Sequence, residues 1–441
     1  MFTQLAMIAI NTTDIVMMGW LGPQELAAGA LGLNVYFPLF LFGLGIATVV
    51  APMSAQALGA RDYRGVRRTV RQGFWLTLLF GALFTLVIWN GRQVLLATGQ
   101  NPEIALLAQD YLKAVAWALV PSLWFVVLRC FVTAHSRPRS VLVITVLAVA
   151  ANAIGNYGLM FGNFGLPRWE LMGAGITSSV VSLLMFLALL GYVSLDRKFR
   201  RYAIMVRFWR PDWGRFVELF RVGVPIGLTI VAEAGLFSAA AFIMGLISTE
   251  ALAAHAVALQ CAAVAFMVPL GIGQAATIRV GLAAGAGDPD GVARAGWSAL
   301  LAGTLFMACS ALVFWFAGSF LVGLFLDAAV PENAAVIELA VAFLAIAALF
   351  QLFDGGQVIG VHALRGLKDT TVPMWLAVGG YWVVGFAAAL ILAFPLALGG
   401  RGVWIGLAVG LGCVAFAVNW RFHRRDRLLP HGGLAAAAAK A

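Results

Sequence analysis

Residues 25–46 read ELAAGALGLNVYFPLFLFGLGI, and residues 251–272, 226 positions further on, read ALAAHAVALQCAAVAFMVPLGI. The match continues without gaps from ALGARDYRGVRR (57–68) onto AAGAGDPDGVAR (283–294). Leu26, Ala27 and Ala28 pair with Leu252, Ala253 and Ala254, Gly45 with Gly271, and Gly59, Asp62 and Gly65 with Gly285, Asp288 and Gly291. Shared alanine and leucine explain identities in an apolar run, but not a polar loop with Asp, Gly and Arg in register. The chain reads as a duplication.

The solvent of both copies follows from composition. Of 441 residues, 62% are hydrophobic and 11% charged, against roughly 25% charged in an ordinary soluble domain. Such a chain cannot cover a water-facing surface with polar groups. Its apolar stretches are about 20 residues or longer, enough to cross a hydrocarbon core as helices, and they lack the alternation of barrel strands. The expected fold is an all-α integral membrane protein.

Polar, glycine and proline breaks mark twelve expected spans: 1–20, 30–57, 70–97, 104–134, 141–162, 172–194, 216–246, 251–282, 296–326, 332–362, 371–397 and 402–422. The first lacks the charged segment and cleavage site of a secretory signal, so a retained helix is expected. Six spans per copy is an even number, so both copies enter the membrane in the same direction. That is a parallel repeat, with a central cavity expected between two lobes that rock to alternate access. The expected organisation is an N-lobe at 1–194, a basic cytoplasmic linker at 195–215, a C-lobe at 216–425 and a disordered tail at 426–441.

All Lys and Arg except Arg92, Lys113, Arg168 and Arg401 fall in or beside the even-to-odd connections and the C-terminus. The positive-inside rule places those connections, and both termini, in the cytoplasm of an inner (plasma) membrane. The net charge of +10 then needs no nucleic-acid partner, because anionic lipid headgroups attract juxtamembrane cations. Cys130, Cys261, Cys309 and Cys413 lie singly in separate apolar spans; no disulfide framework or cysteine metal site is expected, and a monomer suffices.

An ionisable side chain inside a span costs several kcal/mol, and by default it faces a bundle interior or watery cavity and marks a functional site. Asp14 interrupts IAINTTDIVMMGWLG (8–22), Glu233 interrupts PIGLTIVAEAGLFSAAAF (225–242), and Asp354 interrupts LFQLFDGGQVIGVHALRG (349–366). These three acids are the candidate coupling-ion or substrate-binding residues. Asn11, Asn152, Asn156, Gln260 and Gln357 are the candidate supporting polar groups. No Lys or Arg at comparable depth is expected to neutralise the acids, so each takes up a proton or binds a cation. Arg129 is expected to snorkel, and His255 to be packed and hydrogen-bonded. Gly402, Gly406 and Gly410 share one helix face and permit close helix contact.

Enzyme motifs fail. No Lys follows a Gly, which excludes a P-loop, and no His precedes a Glu, which excludes an HExxH zinc site. GIGQAA (271–276) lies within a span with no βαβ unit. The shift of 226 puts Met7 opposite Glu233 and Ala240 opposite Asp14, so the copies carry their acids at different positions and are expected to have diverged in role.

Five segments in order, NTTDIVMMGWLGPQELAA, PMSAQALGARDYRGVRR, ANAIGNYGLMFGNFGLPRWELMGAGITSS, PIGLTIVAEAGLFSAAAF and LRGLKDTTVP, resemble the NorM-type branch of the multidrug and toxic compound extrusion transporters. The likeness runs from residue 1 to about 425, without the family's cytoplasmic segment before helix 1. It implies antiport: export of cationic amphipathic compounds in exchange for Na⁺ or H⁺, with no cofactor and membrane lipid as the surrounding partner. It matches Asp14 to the family's first-helix acid, Glu233 to its seventh-helix acid, Asp354 to its tenth-helix acid, and Asn152 and Asn156 to polar groups supporting the N-lobe acid. Na⁺, if that is the coupling ion, is expected at Glu233 and Asp354. The alternatives differ in chemistry: a lipid-linked oligosaccharide flippase would need cavity cations for a pyrophosphate, and a channel or receptor would not move solute against a gradient.

Overall fold

The computed structural model describes residues 2–206, 208–327 and 329–428; the tail expected from 426 lies outside them beyond residue 428. Twelve long helices follow one another: α1 (Phe2–Leu21), α2 (Pro23–Gly59), α3 (Tyr63–Trp89), α4 (Pro102–Ala134), α5 (Pro138–Phe161), α6 (Glu170–Leu195), α7 (Trp213–Ile247), α8 (Thr249–Ala286), α9 (Pro289–Phe316), α10 (Pro331–Gly366), α11 (Thr371–Ala393) and α12 (Gly399–His423). Eleven of these, α2 to α12, are long and apolar enough to cross a membrane. The protein is an all-helical membrane protein. The departure from twelve is α1, whose 20 residues are interrupted by the polar run Asn11–Asp14.

Local sequence sets the helix ends. Pro23, Pro102, Pro138 and Pro289 open their helices, where a missing N–H costs nothing. The duplicated loop folds the same way twice: the Asp62 carboxylate accepts from the Gly65 N–H and that of Asp288 from the Gly291 N–H, both at 2.8 Å. Both third spans also end early. The expected 70–97 stops at Trp89 and resumes as a separate turn at Gly91–Ala97, and the expected 296–326 stops at Phe316 and resumes at Gly318–Gly323. These breaks are equivalent in the repeat, so they belong to the duplicated fold rather than to local accident. The eleventh helix ends at Ala393, short of the expected 397.

The chain divides into two compact units. One holds the chain through Ala57 with Asp62–Gly227, the other Leu58–Arg61 with the chain from Leu228. The division falls inside α7, two residues past Pro225, and not in the segment 195–215, which packs within the first unit. There Arg71 Nη1 donates to the Val206 carbonyl, Gln72 Nε2 to that of Arg210 and Trp75 Nε1 to that of Phe208.

In the first unit α1 turns one face inward: Asp14, Met17 and Met18 are buried while Ile15, Val16 and Trp20 are exposed. The spacing i, i+3, i+4 is that of a single helix stripe. In the second unit every residue of α10 from Asp354 to Gly366 is buried, so this stretch is packed all round. Gly402, Gly406 and Gly410 of α12 abut the α11 backbone; a Cβ on Gly406 would collide with Ala389, and one on Gly410 with Gly385. Opposite them α11 loosens into a π-helical segment, Gly379–Gly385. Leu301, Leu305, Leu312 and Phe316 of α9 are exposed, as lipid-facing residues are.

Two expectations fail in the packing. Arg129 is buried, with Nη1 3.4 Å from Met7 Sδ, and does not snorkel. His255 is packed at 5.5 Å from the Trp404 ring, but neither of its ring nitrogens has a hydrogen-bond partner among the described residues.

Candidate functional site

The acids lie in two separate settings. In the first unit, α5 presents Asn152 and Asn156 one turn apart, and both amides donate to Asp14 Oδ1, at 3.0 and 2.6 Å. Ser178 of α6 donates from its hydroxyl to Asp14 Oδ2 at 3.1 Å. Asp14 is 7% exposed and both Asn side chains are fully buried. All three donors are neutral. The carboxylate therefore keeps its full formal charge inside the bundle, offset only by dipoles, and hydrogen bonds to a charged group are each worth about 1.5–3 kcal/mol. Asn156 Oδ1 is buried without a partner among the described residues, which leaves an acceptor beside the acid. Asn11 is exposed and is not among the donors to Asp14.

In the second unit, Glu233 of α7 accepts from Gln357 Nε2 at 2.8 Å, and Gln357 Oε1 accepts from the Tyr381 hydroxyl at 2.8 Å. Tyr381 sits in the π-helical turn of α11, a kind of helix irregularity frequent at functional sites. Asp354 lies one turn before Gln357 on α10, 5% exposed and close enough to Glu233 to interact with its charge. Its Oδ1 has no hydrogen-bond partner among the described residues. Gln260, expected here, is exposed on α8 and bonds to neither acid.

The expectation of no buried cation near the acids is overturned by Arg365. It is buried on α10, acts electrostatically on Glu233, and lies with Nη1 3.4 Å from His362 Nε2. His362 Nδ1 is 2.8 Å from the Val358 carbonyl, which can only accept, so Nδ1 carries the proton and Nε2 faces Arg365 as an acceptor. Arg365 was assigned to the end of its span by sequence; burial of the whole final stretch of α10 is what carries it inward. Ser178, Tyr381 and Arg365 are the site residues that sequence reasoning missed. Ser178 stood in the quoted GITSS and Arg365 in HALRG, but only packing distinguishes them from their neighbours.

What this arrangement can do is hold a small cation or proton. It has two clusters of carboxylate and amide oxygens, and among the described residues no group of three or more His, Cys, Asp or Glu suited to a bound metal.

The MatE family profile matches residues 1–158 and 225–391. A "Probable multidrug resistance protein NorM" of Mesorhizobium japonicum is 49% identical over 430 residues, 97% of this chain and 92% of that protein. One of the same name from Rhizobium meliloti is 47% identical over 421 residues, covering 96% and 90%. Among solved structures, a MATE in the bent conformation superposes with a TM-score of 0.87 at 18% identity, covering 98% of this chain and 94% of that one; at that identity the likeness is one of fold.

Proposed function

This chain belongs to the MatE family, a family of transporters and not of enzymes, and from that premise we propose that it is a multidrug efflux antiporter. It exports cationic amphipathic compounds in exchange for Na⁺ or H⁺ by alternating access, with both termini cytoplasmic. The observation that carries this reading is Asp14: a carboxylate buried in the bundle and held by Asn152, Asn156 and Ser178, without a cationic partner among its donors. Such a group attracts either a proton or a cation. If a drug cation and the coupling ion bind there exclusively, loading one releases the other, which is the exchange that antiport needs. In the second unit Glu233 and Asp354, linked through Gln357, make the C-lobe ion site, where Na⁺ would take the free Asp354 oxygen.

The test is ethidium transport by the purified protein in proteoliposomes under imposed Na⁺ or pH gradients. Uphill ethidium movement driven by one of the two gradients is expected, and the effective gradient names the coupling ion. Downhill movement alone, under every gradient, would make the protein a channel and sink the proposal.

A further inference from the structure

At the start of α3, Arg64, Arg67, Arg68 and Arg71 follow at i, i+3, i+4 and i+7 and so share one helix face. With Arg210 they line a cavity of about 620 Å³ closed on its other side by Pro211, Asp212 and Trp213. We propose that this cradle is a binding site for a phosphate-bearing anion, either the headgroup of an anionic lipid or a soluble phosphate ester.

Four observations support it. First, the charges are unbalanced: five arginines face one carboxylate, Asp212, which is already paired with Arg68 at 3.3 Å and caps the Arg215 N–H at 3.1 Å. Like charges at i, i+4 repel on a helix, so Arg64 with Arg68 and Arg67 with Arg71 call for an anion. Second, the site is prebuilt. Arg71 is buried and bonded to Val206, and Gln72 and Trp75 fasten the 206–210 segment to α3, so the cavity wall does not have to be ordered on binding. Third, Arg67 Nε is buried with no hydrogen-bond partner among the described residues. A buried donor without a partner is costly, and a phosphate oxygen would satisfy it; the N-terminal ends of α3 and α7 add their dipoles in the same sense.

Fourth, the repeat argues against a general juxtamembrane role. The second-unit positions equivalent to Arg64, Arg67, Arg68 and Arg71 are Asp290, Ala293, Arg294 and Trp297. The duplicated fold therefore does not require the arginine face, and the positive-inside rule does not ask for it at this helix in particular. Trp209 and Trp213, 82% and 70% exposed, stand at the rim like aromatics at a membrane interface.

The experiment titrates the full-length protein in neutral detergent with dihexanoyl phosphatidylglycerol below its micelle concentration, with pyrophosphate, and with dihexanoyl phosphatidylcholine, following intrinsic tryptophan fluorescence and melting temperature. Saturable binding of at least one of the two anions, weakened by salt, is expected, with no response to phosphatidylcholine. Tighter binding of the phosphatidylglycerol identifies a lipid headgroup, and tighter binding of pyrophosphate identifies a soluble ligand. Arg64→Gln with Arg67→Gln should weaken binding about tenfold or more, the loss of two charge-assisted bonds, while Arg294→Gln, the equivalent region of the other unit, should leave it unchanged. Arg64→Gln alone, on an exposed side chain, serves if the double variant does not fold, and should weaken binding severalfold. No saturable binding of either anion, or binding indifferent to the cradle variants, overturns the proposal.

Discussion

In the first unit Asp14 is held by Asn152, Asn156 and Ser178, all neutral, whereas in the second Glu233 shares Gln357 with Tyr381 and has both Asp354 and Arg365 within electrostatic reach. The residue types differ, and so do the helices that supply them. The formal charge does not. One ionised acid gives the first cluster a single negative charge, and two ionised acids with one arginine give the second the same. A duplicated fold has thus arrived twice at a cluster that one monovalent cation or one proton neutralises. Arg365 is what makes the second cluster equal to the first.

The largest effect is expected at Asp14, because nothing else in its cluster is ionisable. Asp14→Asn removes the charge but keeps the hydrogen bonds: its Oδ1 can accept from Asn152 and Asn156, and its amide can donate to the Ser178 hydroxyl. The variant should therefore express and fold like the parent, while coupled ethidium efflux in proteoliposomes falls to background. Uphill transport at the parental rate would make Asp14 a structural tie and end the parallel between the two clusters.

At the second cluster the effect should be smaller and shared. Glu233→Gln and Asp354→Asn should each weaken the dependence of transport on the coupling ion, and the double variant should add little to the larger single effect. An interaction energy of about 0.5–3 kcal/mol is usual for residues in one network. Fully additive losses would mean two independent sites. Arg365→Gln sharpens the comparison from the other side: with both acids ionised the cluster would carry two negative charges, so it should bind more than one cation or proton per turnover. An unchanged ion-to-ethidium ratio would remove Arg365 from the charge balance.

How far these clusters could be read from sequence depends on the residue. Asp14, Glu233 and Asp354 stood out because an acid in an apolar run has few explanations, and Asn152 and Asn156 because their spacing of four puts both on one helix face. Arg365 was hidden by its position near the end of a hydrophobic run, where a long cation normally reaches water; only the packing around the last turns of α10 buries it. Tyr381 was hidden by a π-helical turn that hydropathy does not register. Gln260 and Asn11 looked equivalent to the true donors, and the direction in which their helices face decided otherwise. The fold was more legible than the sites, since the register of one polar loop over another located the duplication, though not the breaks after Trp89 and Phe316.

The smallest effect tests whether the duplicated loop is equivalent in energy as it is in geometry. Asp62 caps α3 and Asp288 caps α9, each by one carboxylate oxygen 2.8 Å from a glycine N–H three residues on. Replacing either aspartate by alanine leaves that N–H without its partner at the first turn, at a cost of about 0.5–2 kcal/mol. Asp288 also lies 3.8 Å from Arg294, but that pair is 79% and 49% exposed and contributes little. Asp62→Ala and Asp288→Ala should therefore lower stability alike, read as equilibrium unfolding in mixed micelles, with ethidium transport unchanged in both. Asp62 differs in one respect only: it opens the helix whose first turns carry Arg64, Arg67, Arg68 and Arg71. If an anion occupies that cradle, adding pyrophosphate or phosphatidylglycerol should narrow the loss for Asp62→Ala and leave that for Asp288→Ala as it was, because a ligand bound only to the folded state stabilises the unit that holds it. Equal responses of the two variants would separate the cap from the cradle and leave the repeat symmetric at this loop.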